Sequence, residues 1–276
     1  MINSEQISKL SLRYVDGKNQ FDYLDMYYGA ESLFEFSRFL RIALHALVNN
    51  EVIEKATSSK GFSLELSHSK KSSYIQDIIL FAHQQKDNIL VGIGGGALYD
   101  LLKWSVYNAL GKGKEYFDKI TNRKAKQAIT KLIENNAEVD LELVLEKILR
   151  KSLSPVKSQL LNIELSIGRN KEIYTFTEDE LNYLETEVIE SEIEVVSAMI
   201  TRFNARTGTG RLALSQDGKS YGFTPENVLS DKKKILLANN LSVYTQGAEI
   251  SIKVKLQKVL GVNKKLKRYI LVDVIE

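Results

Sequence analysis

Three arginines, one phenylalanine and two glycines lie within residues 202–214, RFNARTGTGRLAL. Guanidinium groups bind phosphate through paired charge-assisted hydrogen bonds, and an exposed aromatic ring can stack on a nucleic-acid base. Glycines allow the backbone to turn tightly between two strands. The segment therefore predicts either a surface that binds nucleic acid or a charged hairpin turn.

Two sets of side chains carry the nucleic-acid interpretation. One set would contact phosphate, and the other would stack on bases. The alternative for Phe203 and Phe223 is that both rings point into a folded core. The phosphate candidates are Arg202, Arg206, Arg211, Lys219 and Arg268, and the stacking candidates are Phe203, Tyr221 and Phe223.

Short strands separated by turn residues must position these side chains. From about Ile193 the sequence shows five strand-like runs, with a helical segment around 227–241 between the third and the fourth. Five strands with a helix after the third are typical of an OB-type barrel. We predict a small OB/SH3-like barrel domain over 191–276, following an N-terminal domain over 1–190.

The stretch AMITRFNARTGTGRLALSQDGKSYGFTPENV resembles the cold-shock domain. Phe203, Asn204, Gly208, Gly210 and Phe223 occupy the positions that this family's pattern gives them. The resemblance implies a barrel that binds single-stranded nucleic acid. The family's second strand carries exposed aromatic residues, whereas this chain has Thr209, Leu212 and Leu214 there. Base stacking is worth about 1–3 kcal/mol per base, so its loss leaves mainly phosphate attraction.

The N-terminal part reads as mixed α and β structure, which makes the whole chain α+β. Apolar residues three and four apart predict a helix over 31–50 and further helices between 114 and 150. Alternation predicts strands over 60–69 and 159–168, and the runs 6–15 and 20–29 suggest a hairpin. The apolar run 74–85 fits either a helix or a strand, and its length favours a helix.

A glycine-rich segment, residues 87–113, is the most unusual part of the N-terminal domain. Gly92, Gly94, Gly95 and Gly96 precede the helical pattern ALYDLLKWSVYNAL. Close packing or an oligomer contact through small residues is the favoured interpretation. Membrane insertion is disfavoured, because a mid-span Asp or Lys costs roughly 2.5–3.5 kcal/mol. An anion-binding loop is the third alternative, although the spacing matches no phosphate-binding motif.

Asp100 and Lys103 lie three residues apart in that helix, which predicts an ion pair on one face. The functional alternative is a polar pair inside a pore or an interface. Trp104 is expected in the core. The pattern of Tyr99, Asp100, Lys103 and Trp104 resembles an uncharacterised class of bacterial two-domain proteins. That resemblance implies no activity, and this kind of family suggests a role in conflict with phages.

The charge is divided unevenly along the chain. From Val195 onward there are 14 Lys and Arg against 6 Asp and Glu, while the preceding part has 24 against 29. The acidic run over 176–196 predicts a solvated helix end or linker. Two explanations stay open: the acidic run contacts the basic barrel within the chain, or the barrel binds an external anion.

We find no residue pattern for catalysis, a cofactor or a metal. The chain has no cysteine, and His45, His68 and His83 lie in different elements without ligand spacing. The first residues show no apolar secretory run, which favours the cytoplasm. The sequence therefore predicts a non-enzymatic binding or assembly protein whose basic barrel contacts nucleic acid or another polyanion. The alternative is an oligomeric effector subunit that acts through its glycine-rich helix at a partner or membrane.

Overall fold

The chain folds into two compact units, Met1–Glu185 and Thr186–Glu276. The computed structural model describes most of both units, and for residues 137–140 it describes the backbone alone. The described residues are 4–53, 60–67, 74–83, 90, 93–135, 137–169, 171–215, 220–247, 250–262 and 264–275.

The first unit alternates groups of strands and helices, as its apolar patterns predict. In chain order its elements are β1 (Ser4–Val15), α1 (Met26–Asn49), β2 (Phe62–Leu66), β3 (Ile75–His83), α2 (Gly95–Ala109), α3 (Gly113–Lys119), α4 (Arg123–Glu134), α5 (Ala137–Ser152), α6 (Ser154–Gln159), β4 (Asn162–Ile167), β5 (Lys171–Phe176) and α7 (Glu178–Glu185).

The strands of this unit form an antiparallel sheet in the order β2-β3-β1-β4-β5. Leu10, Leu12 and Tyr14 alternate along the central strand β1 and are fully buried. They share one core with α1, α2 and α5, which pack on one another. Burial of one face of the sheet and one stripe of each helix is the usual basis of an α+β unit.

Two local predictions for this unit are wrong. Residues 20–29 were expected to form the second strand of a hairpin, but they form a loop and the start of α1. Asp25 caps that helix, because its carboxylate accepts from the backbone N–H groups of Tyr27 and Tyr28. For the run 74–85 a helix was favoured over a strand, but residues 75–83 form the strand β3 between β2 and β1.

The second unit is a closed barrel with one helix. Its elements are β6 (Val188–Phe203), β7 (Gly210–Ala213), β8 (Ser220–Pro225), α8 (Asp231–Thr245), β9 (Ile252–Leu260) and β10 (Leu266–Val274). Around the barrel, neighbouring strands follow the order β6-β7-β8-β10-β9, and β9 closes back on β6. The helix lies between the third and fourth strands of the barrel in the chain, as expected of an OB-type barrel.

The first barrel strand begins earlier than the sequence suggests. The acidic residues Glu190, Glu192 and Glu194 lie on β6, where a helix end or linker was expected. The second unit therefore contains 14 Lys and Arg against 10 Asp and Glu. Because part of the acidic run belongs to the barrel itself, the two units differ less in charge than the sequence suggested.

Candidate nucleic-acid interface on the C-terminal barrel

Three arginines and one glycine stand in register across four neighbouring barrel strands. Arg202 of β6 lies opposite Arg211 of β7, Arg211 lies opposite Gly222 of β8, and Gly222 lies opposite Arg268 of β10. Residues directly opposite one another project from the same face of a sheet. We call these four residues the arginine row.

A β-bulge puts Arg202 into this row. The pairing shifts between Ile200, which lies opposite Leu212, and Arg202, which lies opposite Arg211. Ile200 and Leu212 are fully buried, so without the extra residue the same alternation would turn Arg202 inward. The bulge instead turns Arg202 outward and turns Phe203 toward the barrel interior.

The three guanidinium groups of the row have different hydrogen-bond and ion-pair partners. Arg211 donates to the hydroxyl of Ser220 at 3.2 Å and to the backbone carbonyl of the same residue. Arg268 donates to Thr224 Oγ1 at 3.1 Å and to Glu187 Oε2 at 2.9 Å. Arg202 is exposed and forms no ion pair with a carboxylate among the described residues.

The loop between β6 and β7 presents Arg206 beside this row. The side-chain oxygen of Asn204 accepts from the backbone N–H of Arg206 at 3.0 Å and from that of Thr207 at 3.4 Å. Gly208 has a φ of +73°, and its backbone N–H donates to the carbonyl of Asn204 at 2.8 Å. The loop backbone is therefore held in one conformation, while the side chain of Arg206 is exposed.

The aromatic candidates lie on the other side of the strands. Phe223 is 3% exposed and is part of the barrel core, so it offers no ring face to a base. Phe203 and Tyr221 are partly buried against the same core. Tyr221 also packs edge-on against Tyr269, with the ring centroids 5.8 Å apart. We therefore leave these three rings out of the interface. Lys219 lies outside the described residues.

Acidic residues on β6 and just before it pair with some of the barrel's cations. Glu187 holds Arg268, and Glu194 accepts from Lys258. The hydrogen bond with Glu194 raises the pKa of Lys258, although partial burial acts in the opposite direction. Part of the barrel's positive charge is thus neutralised within the same unit. Sequence reasoning missed this role of Glu187, because the first barrel strand was expected to begin only at about Ile193, whereas β6 begins directly after Glu187.

The glycine-rich segment has a different environment from the one predicted. Gly94, Gly95 and Gly96 are exposed, and a Cβ atom at Gly94 or Gly95 would meet nothing within 4 Å. Close packing of these three glycines within the chain is therefore wrong, and Gly92 lies outside the described residues. Trp104 is 1% exposed and belongs to the core, as expected.

Asp100 and Lys103 do not form the predicted ion pair with each other. The hydroxyl of Tyr116 donates to Asp100 at 3.2 Å, and Lys103 donates to the hydroxyl of Tyr99 at 3.0 Å. The Lys103 ammonium also lies 5.3 Å from the centre of the Tyr99 ring. Tyr99 lies one turn before Lys103 on α2 itself. Tyr116 reaches Asp100 because α3 packs against α2, a contact that local spacing does not reveal.

Two other kinds of site are absent from the part of the chain that the structure describes. No helix there is both long and apolar enough to cross a bilayer. No group of three His, Asp or Glu side chains there is arranged to hold a metal ion.

Comparison with known proteins places the first unit in a family. Residues 10–185 match a family described as a domain of unknown function, DUF7946. The match ends at the last residue of the first unit and does not include the barrel. No curated protein and no solved structure is significantly similar to the chain.

Proposed function

We propose that this chain, which belongs to the DUF7946 family over residues 10–185, binds single-stranded nucleic acid through the barrel that follows. The observation that supports the proposal is the arginine row on β6, β7, β8 and β10. The second and third strands of an OB barrel, together with the loop between the first two, form the usual face for oligonucleotides. Here those elements carry Arg211, Gly222 and Arg206.

The arginine row lowers the stability of the barrel unless an anion lies across it. Like charges directly opposite each other destabilise an antiparallel pair, and Arg202 faces Arg211 in this way. A phosphate placed between the two guanidinium groups would convert that repulsion into two charge-assisted hydrogen bonds. Gly222, with nothing within 4 Å of its Cβ position, leaves space beside Arg211 for a backbone to approach.

The geometry favours phosphate recognition over base recognition. Phe203, Tyr221 and Phe223 pack into the core, so the row lacks the ring platforms that give many single-strand binders their affinity. We therefore expect weak binding that tolerates different sequences and decreases steeply with salt. For single strands, the logarithm of the association constant falls with log salt by about 0.7 for each phosphate neutralised.

Fluorescence anisotropy with a labelled twenty-nucleotide oligo(dT) tests the proposal. The double variant R202Q/R211Q should bind more weakly than the wild type and show a shallower salt dependence. The matched control K253Q/K264Q removes two charges elsewhere on the barrel and should retain most of the affinity. Circular dichroism checks that both variants fold. The proposal would be refuted if the wild type did not bind at 20–50 mM salt. It would also be refuted if R202Q/R211Q and K253Q/K264Q lost the same amount of affinity.

A second candidate function is assembly through the start of α2. Gly94, Gly95 and Gly96 present bare backbone to solvent, which would let another molecule approach closely. Sedimentation velocity of the wild type and of G95W tests this: a bulky side chain at that position should dissociate an oligomer. A wild type that sediments as a monomer at all concentrations counts against assembly.

A further inference from the structure

A small cleft adjoins the arginine row at the ends of β6 and β8. It has a volume of about 250 Å³ and lies between the β6–β7 loop and the loop that leads from β8 into α8. Drug-sized ligands occupy pockets of roughly 300–1,000 Å³, so this cleft suits a smaller group. The lining residues that matter for its chemistry are Arg206, Glu226, Val228 and Lys234.

The walls of the cleft are held in place by backbone contacts. A Cβ atom at Gly208 would lie 3.1 Å from Pro225 and 3.4 Å from Leu229, which shows how closely the two loops pack. The backbone N–H of Glu226 donates to the carbonyl of Leu271 on β10 at 3.0 Å. The cleft is therefore a formed feature of the barrel, and little ordering would accompany binding.

The charges lining the cleft match one phosphodiester. Arg206 and Lys234 contribute two positive charges, and Glu226 contributes one negative charge. Among the described residues, the carboxylate that lies within 4 Å of Lys234 is that of Asp231, at 3.8 Å; it is 96% exposed and therefore a weak competitor. A net charge of about +1 balances a single phosphodiester group, and Glu226 would repel a second one.

Val228 gives the rim of the cleft an apolar surface. Its side chain is 94% exposed, which is unusual for an aliphatic residue beside two cations. A sugar or the face of a base is the part of a nucleotide that would pack against it. Arg206 lies on the loop that joins Arg202 to Arg211, so a strand bound along the row is already next to the cleft.

We propose that the cleft is a one-nucleotide subsite: the strand that crosses the arginine row places one phosphate between Arg206 and Lys234. This inference rests on the proposed function of the barrel. It adds a phosphate contact outside the arginine row, because Arg206 lies on the β6–β7 loop and Lys234 lies on α8.

Salt titrations with the labelled oligo(dT) distinguish a phosphate contact at the subsite from a general effect of net charge. R206Q/K234Q should reduce the slope of log affinity against log salt by about 0.7, the value for one phosphate. The control K253Q/K264Q removes the same charge and should leave the slope unchanged. E226Q removes the repelling carboxylate and should strengthen binding.

The outcomes distinguish this inference from the proposed function. If R206Q/K234Q and K253Q/K264Q change affinity and slope equally, or if E226Q weakens binding, the subsite is wrong. R202Q/R211Q would still decide the role of the row in that case. If the wild type binds no strand at low salt, both proposals fail together.

Discussion

Arg202 and Arg211 lie directly opposite each other across β6 and β7, two like charges in a position that normally destabilises a sheet. A bulge between Ile200 and Arg202 creates this arrangement, since regular pairing would turn Arg202 inward. Proteins retain such local costs mainly where binding requires them. The pair therefore connects the geometry of the barrel to its proposed ligand.

We predict that R202E stabilises the barrel and weakens its binding to nucleic acid. The substitution replaces a repulsive cross-strand pair by an attractive one, worth roughly 0.2–1 kcal/mol in the free energy of unfolding. Urea unfolding measures the first effect, and anisotropy with oligo(dT) measures the second. A variant that loses stability, or that binds as tightly as the wild type, would contradict the functional interpretation of the pair.

Gly210 should tolerate no side chain, whereas Gly222 should tolerate one. A Cβ at Gly210 would lie 2.3 Å from the carbonyl oxygen of Arg202 and 2.6 Å from the Phe223 ring. We expect G210A to cost about 1–3 kcal/mol of barrel stability, the usual range for overpacking. G222A is the matched control, since its Cβ meets nothing within 4 Å, and it should change stability by less than about 0.5 kcal/mol.

The unfolding transitions of the two units can be followed separately. Trp104 is the only tryptophan in the sequence and lies in the first unit, so its fluorescence reports that unit. G210A should shift the circular-dichroism transition of the barrel and leave the tryptophan transition in place. Equal stability of G210A and G222A would show that the barrel relaxes around residue 210.

Several elements could be predicted because their signals are local. Thr177 and Glu180 form the expected capping box of α7: the side chain of Glu180 accepts from the backbone N–H of Thr177 at 2.9 Å. The succession of the barrel strands and their helix along the chain could be predicted from the turn residues between them. For the run that forms β3 the sequence left helix and strand open and favoured the helix, because an apolar stretch has the same composition in a buried strand and in a buried helix.

The candidate site was predicted in its residue types but not in its geometry. Arg202, Arg211 and Arg268 were named from the sequence, but their register could not be, since a single bulged residue decides which side chains point outward. The same bulge sends Phe203 inward, against the stacking interpretation. The contact of Arg268 with Glu187 links residues 81 positions apart, and no local pattern reports it.

Asn240 should be essential to the barrel although it lies in a helix. It is 6% exposed, its Oδ1 accepts from the N–H of Ile200 at 2.8 Å, and its Nδ2 donates to the carbonyl of Ile250 at 2.7 Å. N240A leaves both backbone groups without this partner, and the buried N–H of Ile200 alone should cost about 1–3 kcal/mol. The exposed neighbour Asn239 provides the control, and N239A should unfold at nearly the wild-type urea concentration.

The first unit should lose stability in alkali because of Tyr14. Its side chain is fully buried, and burial raises the pKa of Tyr14 despite the hydrogen bond with Ser32 at 3.0 Å, which acts in the opposite direction. The neutral phenol's contribution is complete below the unfolded pKa of about 10. It is lost as pH rises from there toward the folded value, by up to about 1.4 kcal/mol per pH unit.

Urea unfolding between pH 8 and 11.5 measures this effect. Y14F loses the hydrogen bond with Ser32, so it should be less stable at neutral pH, but its stability should decline less steeply above pH 10. Y27F, at an exposed tyrosine, is the control and should retain the wild-type slope. Parallel slopes for wild type and Y14F would assign the alkaline transition to other tyrosines.

Glu187 should act as an internal competitor for the phosphate backbone. Its carboxylate holds Arg268 at 2.9 Å, and both side chains are about one-third exposed, so the pair is accessible to a bound strand. E187Q removes the competing charge and leaves Arg268 free to contact phosphate. We expect tighter binding to oligo(dT) and a salt slope steeper by about 0.7, the increment for one added phosphate. E192Q removes an equal charge from an exposed position on β6, the strand that follows Glu187, and should leave the slope unchanged. If both variants tighten binding equally without a change of slope, net charge alone governs affinity, and Arg268 is a structural residue of the barrel.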